Sequence, residues 1–151
     1  MTPDVLLLIN VAATLFMVGL IWFVQVVHYP GFASVGIERF GEYHAAHVGR
    51  TTWVIAVPMF TEAATAALLT WNPPTSAAAP LYWAGFALVI LIWLVTATLL
   101  VPRHNQLANG FDASAHRSLV AANWVRTLAW TIRGVLMVWA LTQKCSSGTS
   151  I

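Results

Sequence analysis

The chain has 151 residues, of which 59% are hydrophobic and only 8% charged, and its mean hydropathy is +0.75. A soluble domain carries roughly a quarter charged residues, so this composition cannot cover itself with polar surface in water. A pI near 9.1 does not point to nucleic acid: the seven Lys and Arg form no run or patch, and two of them lie inside an apolar stretch. No nucleic-acid partner is expected.

Residues 1–4 lack a basic region, and the apolar run behind them is too long for a cleaved signal peptide. That run is expected to stay as a first span. Apolar residues continue almost unbroken over 5–27, 51–71, 81–101 and 122–142, each long enough to cross a hydrocarbon core of about 30 Å. The expected fold is all-α and integral to the membrane, a four-transmembrane-helix bundle forming one domain over 1–151. Between the first two spans, Ile37, Phe40, His44 and His47 share one helical face, which predicts a short interfacial helix over about 33–48. The run Asn72-Pro73-Pro74-Thr75-Ser76 is a tight turn, and Asn109-Gly110 marks a loop within the polar connection 102–117. The tail 146–150 reads as disordered. Cys145 has no partner cysteine, which excludes a disulfide framework and a cysteine metal site.

Arg39 and Arg50 in the first connection and Arg103 and Arg117 in the third stand against Lys144 alone on the other side. The positive-inside tendency puts those connections in the cytoplasm and both chain ends on the non-cytoplasmic side. Trp71, Trp83 and Trp139 then fall at the outer interface, and Trp53 and Trp124 at the inner one. Laid on itself with an offset of 71 residues, the chain matches Leu20-Ile21-Trp22 to Leu91-Ile92-Trp93, Phe40 to Phe111, and Trp53-Val54 to Trp124-Val125, with Pro30 and Pro102 at nearly equal places. Two parallel two-helix repeats would produce that pattern.

The same offset brings Glu62 level with Arg133, about 16 Å below the cytoplasmic end at 1.5 Å per residue. A lone charge there costs roughly 2.5–3.5 kcal/mol, so each is expected to partner the other. Their role stays open between a proton or substrate path and a lock on helix register. Asn123, Arg126, Trp130 and Arg133 recur at helical spacing and form one inward stripe. Pro58, four residues before Glu62, is expected to kink its helix and free the carbonyl of Val54.

All five histidines gather on the cytoplasmic side. His44 and His47 are three apart, as two ligands on one helical face must be. Neutral imidazoles suit zinc, copper and iron, and a haem takes one or two on its axis. His28, His44, His47 and His104 are therefore the candidate ligands of a metal ion or haem b, with ordinary interfacial histidines as the other reading.

The stretches Ile21-Trp22-Phe23-Val24-Gln25-Val26-Val27-His28-Tyr29-Pro30, Arg50-Thr51-Thr52-Trp53 and Asn123-Trp124-Val125-Arg126-Thr127 resemble a group of small bacterial four-span membrane proteins, a likeness that implies a multi-pass place in a bacterial plasma membrane. The order of Trp, His-Tyr, Phe40, Arg50 and Pro58-Met59 is also similar to the HemJ type of protoporphyrinogen oxidase, a small four-span haem-binding protein, and so implies haem. The expected function is a membrane-embedded oxidoreductase holding a metal or haem on cytoplasmic-side histidines. Glu62, Asn123, Arg126 and Arg133 would be the catalytic residues, orienting a hydrophobic small molecule that enters from the bilayer or moving protons. The alternatives are a non-catalytic subunit of a larger membrane complex or homo-oligomer, and a small transporter.

Overall fold

The computed structural model describes residues 2–147, and among these every regular element is helical. α1 (Pro3–Phe23) begins where the Thr2 hydroxyl accepts the Val5 N–H at 3.4 Å, with Pro3 and Asp4 in the first turn. It runs on through a π-helical turn, Val24–His28, into the short α2 (Tyr29–Gly31) and a 3-10 turn, Phe32–Ser34. Pro30 accounts for the widened turn: proline has no N–H to donate, and its ring collides with a carbonyl one turn back. In the widened turn the Tyr29 N–H donates to the Val24 carbonyl instead. The device recurs after α4 (Ala79–Val95), where the π turn Thr96–Leu100 leads into α5 (Val101–Leu107), with Pro102 in its first turn.

The other two long helices are α3 (Ile37–Trp71) and α6 (Ala113–Ser147), each of 35 residues. α3 corrects one expectation. The separate interfacial helix over 33–48 is absent as such, because Ile37 to Trp71 is one continuous helix. α3 contains no proline before Pro58, and a helix-interior glycine such as Gly41 or Gly49 costs only about 1 kcal/mol. Burial of Phe40 and His44 holds the segment in the register of the whole helix, and Ile37, expected on that face, is exposed. The helix also continues through Pro58. The third connection shortens for a similar reason: helix persists to Leu107, and α6 starts at Ala113, whose first turn is capped by Asp112 Oδ1 accepting the Ala115 N–H at 2.6 Å. Gly110, at φ 127°, takes the left-handed conformation that reverses the chain. The expected disordered tail meets helix at Ser146 and Ser147; residues 148–151 lie outside the described ones.

α1 lies against α3 and α6, and α4 against the same two, so the four long helices close into a ring. One core cluster includes Met17, Ile21, Phe32, Phe40, Leu119 and Trp130, and a second, toward the opposite end, includes Leu7, Leu69, Tyr82 and Met137. Outward positions such as Val57, Phe60, Leu94 and Val135 are apolar and exposed. Three helical stretches, Pro3–Ser34, Ile37–Trp71 and Ala79–Leu107, are long and apolar enough to cross a membrane, and the chain reads as a membrane protein.

Close approach of α1 and α6 depends on Gly134, where an added Cβ would lie 3.1 Å from Val18 Cγ2 and 3.8 Å from Leu15 Cδ2. Gly134→Leu is expected to lower stability by about 1–3 kcal/mol through overpacking, read as an earlier thermal transition in detergent. Gly19→Leu, where nothing lies within 4 Å of the added Cβ, should melt like the parent.

Candidate functional site

Two polar assemblies occupy the bundle, one deep within it and one at the end where the histidines lie. The deep one joins α1, α3 and α6. Arg133 Nε stands 3.5 Å from Glu62 Oε1, both side chains being buried. Thr14 donates to Glu62 Oε1 at 2.8 Å, and the Trp130 indole N–H donates to Oε2 at 2.9 Å. Arg133 in turn donates to Thr14 Oγ1 at 2.7 Å and to Asn10 Oδ1 at 3.1 Å, while Asn10 donates to Thr65 Oγ1 and to the Glu62 carbonyl. The expected pairing of Glu62 with Arg133 is present, and Asn10, Thr14 and Thr65, which sequence reading missed, complete it. In an apolar bundle a single Asn or Thr can be any packed residue, so no sequence signal marked them.

Asn123 belongs to another tie. It donates to Gln25 Oε1 at 2.9 Å, and Gln25 donates to the Val120 carbonyl at 3.3 Å. This clamps α6 onto the π turn after α1 and leaves Asn123 fully buried.

At the histidine end, four of the five imidazoles converge from three stretches of chain. His28 Nε2 lies 2.6 Å from His47 Nδ1, and His44 Nε2 lies 3.1 Å from His104 Nδ1. The two pairs face one another, with the His47 and His104 ring centroids 5.9 Å apart and those rings stacked. Two further hydroxyls join: Thr51 Oγ1 at 3.0 Å from His47 Nδ1, and the Tyr29 phenol at 3.0 Å from His104 Nε2. A hydrogen bond between two ring nitrogens needs one to donate and the other to accept, so each pair as it stands has a neutral ring supplying the acceptor. Phe32, fully buried, sits under the cluster with its ring 5.1 Å from His47 and 5.9 Å from His44. His116, the fifth histidine, is apart from this arrangement: its Nε2 lies 2.7 Å from the Tyr29 carbonyl, which ties the start of α6 to α2.

Tyr29 escaped the sequence reading because of the π turn. One extra residue in a turn rotates all that follows by about one position, so the inward place that regular helix would give to another residue falls to Tyr29, 5% exposed.

Beside the histidines a cavity of about 200 Å³ runs between α1, α3 and the α4–α5 stretch. Met17, Ile21, Val24, Ile55 and Leu100 form its apolar walls, and Tyr29, His47, His104 and Arg126 its polar end. Thr52, Val101 and Asn105, all exposed, border it on the outer surface. Arg126 is buried over the Trp130 ring, 5.0 Å from its centroid, and lines the same polar end of the cavity as Tyr29. Of the four residues expected to be catalytic, then, Arg126 lines the cavity, while Glu62, Arg133 and Asn123 are enclosed away from its walls. Among the described residues no group of three or more His, Cys, Asp or Glu side chains is arranged to hold a metal ion.

No family model, curated protein or solved structure matches the chain.

The deep network yields a stability prediction. Arg133→Met strands the Glu62 carboxylate in an apolar interior, a loss of about 3–5 kcal/mol for a broken buried pair. Thermal unfolding in detergent should show a large drop for Arg133→Met and substantial recovery when Glu62→Gln is added. A double variant no more stable than the single one would refute the pairing as the source of the loss.

Proposed function

We propose that the protein is a membrane-embedded oxidoreductase that takes a lipid-soluble substrate into the cavity beside the histidines and holds a copper, iron or zinc ion, or haem b, on His28, His44, His47 and His104. The observation that carries this reading is the convergence of four imidazoles, from separate stretches of chain, as two close pairs, one ring of each, His47 and His104, lining the polar end of one apolar cavity. Nitrogens bound to one ion at about 2.1 Å stand roughly 3.0–3.4 Å apart across a coordination edge. The separations of 2.6 and 3.1 Å within the pairs are near that edge, so small ring rotations would bring two ligands to a shared ion. Copper or iron would supply one-electron chemistry, and zinc a Lewis acid. The chain's own part is to exclude water with Phe32 and the apolar walls, and to offer the Tyr29 hydroxyl, beside His104, as a proton donor at the polar end.

In this reading α6 is a fourth span, both termini lie outside the cytoplasm, and the protein sits in a bacterial plasma membrane. Support comes from the inward turn of Asn123, Arg126, Thr127, Trp130 and Arg133, which leaves α6 with an apolar outer face. The two π turns begin 72 residues apart, at Val24 and Thr96, and each precedes a proline, which favours two related helical hairpins.

One observation favours a second reading. Glu62 and Arg133 are enclosed and mutually satisfied, and no three-ligand group is preformed, as suits a non-catalytic subunit whose charges only hold its helices together. Elemental analysis and an absorption spectrum of the purified protein separate the two. About one equivalent of copper, iron or zinc, or a Soret band, is expected, falling at least two-fold in His44→Ala/His47→Ala. Colourless, metal-free protein that copurifies with larger subunits would overturn the oxidoreductase reading in favour of the second.

A further inference from the structure

Arg126 presents a problem that the rest of the molecule leaves unsolved. It is 6% exposed, its Nε has no hydrogen-bond partner, and among the described residues no carboxylate answers its charge. The chain contains five acidic residues. Glu62 is bound to Arg133 and Asp4 to Lys144, Asp112 caps α6, and Glu38 and Glu42 are exposed. What Arg126 does have is the face of Trp130 and, across the same end of the cavity, the Tyr29 side chain, neither of which neutralises a cation. A buried charge without a counter-ion carries a desolvation penalty of several kcal/mol. Arg133, whose Nε likewise makes no hydrogen bond, has a carboxylate at 3.5 Å and two hydrogen-bonded oxygens, so its charge is answered where that of Arg126 is not.

Among the described residues, Arg126 is also the one buried cation that lines the cavity. From the polar end the space is walled by Met17, Leu20, Ile21, Val24, Ile55 and Leu100, all hydrocarbon or thioether. A guanidinium fork matches two oxygens of a planar anion, and the neighbouring Tyr29 hydroxyl adds a donor. A cavity of about 200 Å³ is somewhat larger than the roughly 150 Å³ that holds a benzene ring. It therefore takes a ring or a short run of chain, with any longer tail leaving past Thr52 and Val101 toward the outer surface.

We infer that the ligand of this cavity is a hydrophobic monocarboxylate, its carboxylate paired with Arg126 and Tyr29 and its apolar body lying against Met17, Ile21, Ile55 and Leu100. This rests on the reading of the cavity as the substrate site and names the class of molecule that enters it. Trp130 acts as a positioning residue. Its indole N–H is held by Glu62 Oε2 at 2.9 Å, so the ring on which the guanidinium lies is fixed by the deep network.

The test is equilibrium binding of radiolabelled decanoate to the protein in nanodiscs, with empty nanodiscs as baseline and 1-decanol as the uncharged competitor. The measurement is run on protein treated with chelator as well as on protein as purified, so a missing metal or haem sinks the oxidoreductase reading without touching this one. Saturable binding near one per chain is expected, with 1-decanol competing at least ten-fold more weakly than unlabelled decanoate. Arg126→Gln should weaken decanoate binding at least ten-fold, and Arg126→Lys, which keeps the charge without the fork, by less. Leu100→Trp, which fills the apolar arm and leaves Arg126 in place, should also abolish binding. Equal competition by 1-decanol, or no saturable binding to the wild-type protein, overturns the inference; both are read on the unmodified chain, so neither depends on whether a variant folds.

Discussion

A guanidinium with no exposure to solvent, set in a bundle whose composition is mostly hydrocarbon, imposes the condition that organises this molecule. Arg133 is closed to solvent, and the Coulomb energy between charges is large where the dielectric is low, so its guanidinium must find oxygens at short range. Glu62, Thr14 and Asn10 supply them from two other helices. The relative rotation of α1, α3 and α6 is thereby fixed, since turning any one by a single residue, about 100°, would carry its polar group into hydrocarbon. Packing of Leu, Val and Ile alone would tolerate several registers.

From that fixed core the two π turns determine what happens at one end. Each takes up a proline near the end of an apolar helix by widening the coil, which displaces the following residues around the axis. After α1 the displacement turns Tyr29 inward and leaves His28 half-buried; after α4 it leads to His104. The histidine cluster and the cavity wall are thus products of backbone geometry as much as of side-chain chemistry, and the clamp of Asn123 and Gln25 holds the first of these turns against α6.

Much of this arrangement is legible in the chain before any coordinates. Apolar runs separated by Pro, Gly and polar residues locate the long helices, because a membrane-length helix leaves a strong periodic and compositional trace. The partnership of Glu62 and Arg133 also follows, since two charges at equal depth in hydrocarbon have few other options. The gathering of His28, His44, His47 and His104 is foreseeable because each lies where its helix reaches the same end of the bundle. Less visible is the continuity of α3: amphipathic 37–50 and apolar 51–71 differ in composition, and composition registers solvent rather than backbone. Tyr29 and the neutral members of the deep network were illegible for a different reason, since their roles depend on register between helices, which no local pattern encodes. Among the residues singled out for chemistry, the division between Arg126 on the cavity and Arg133 behind it rests on one helical face seen in three dimensions.

The unbroken course of α3 has a mechanical consequence. His47 and Glu62 are fifteen residues apart on one helix, with Pro58 between them, about 22 Å along its axis. Any tilt of the imidazole end that Pro58 does not absorb would swing the acid at the other end and strain its hydrogen bonds to Thr14 and Trp130. The scaffold accordingly resists remodelling, and selectivity here should come from the fit of the incoming molecule to a preformed shape, with most of the entropic cost of ordering already met during folding.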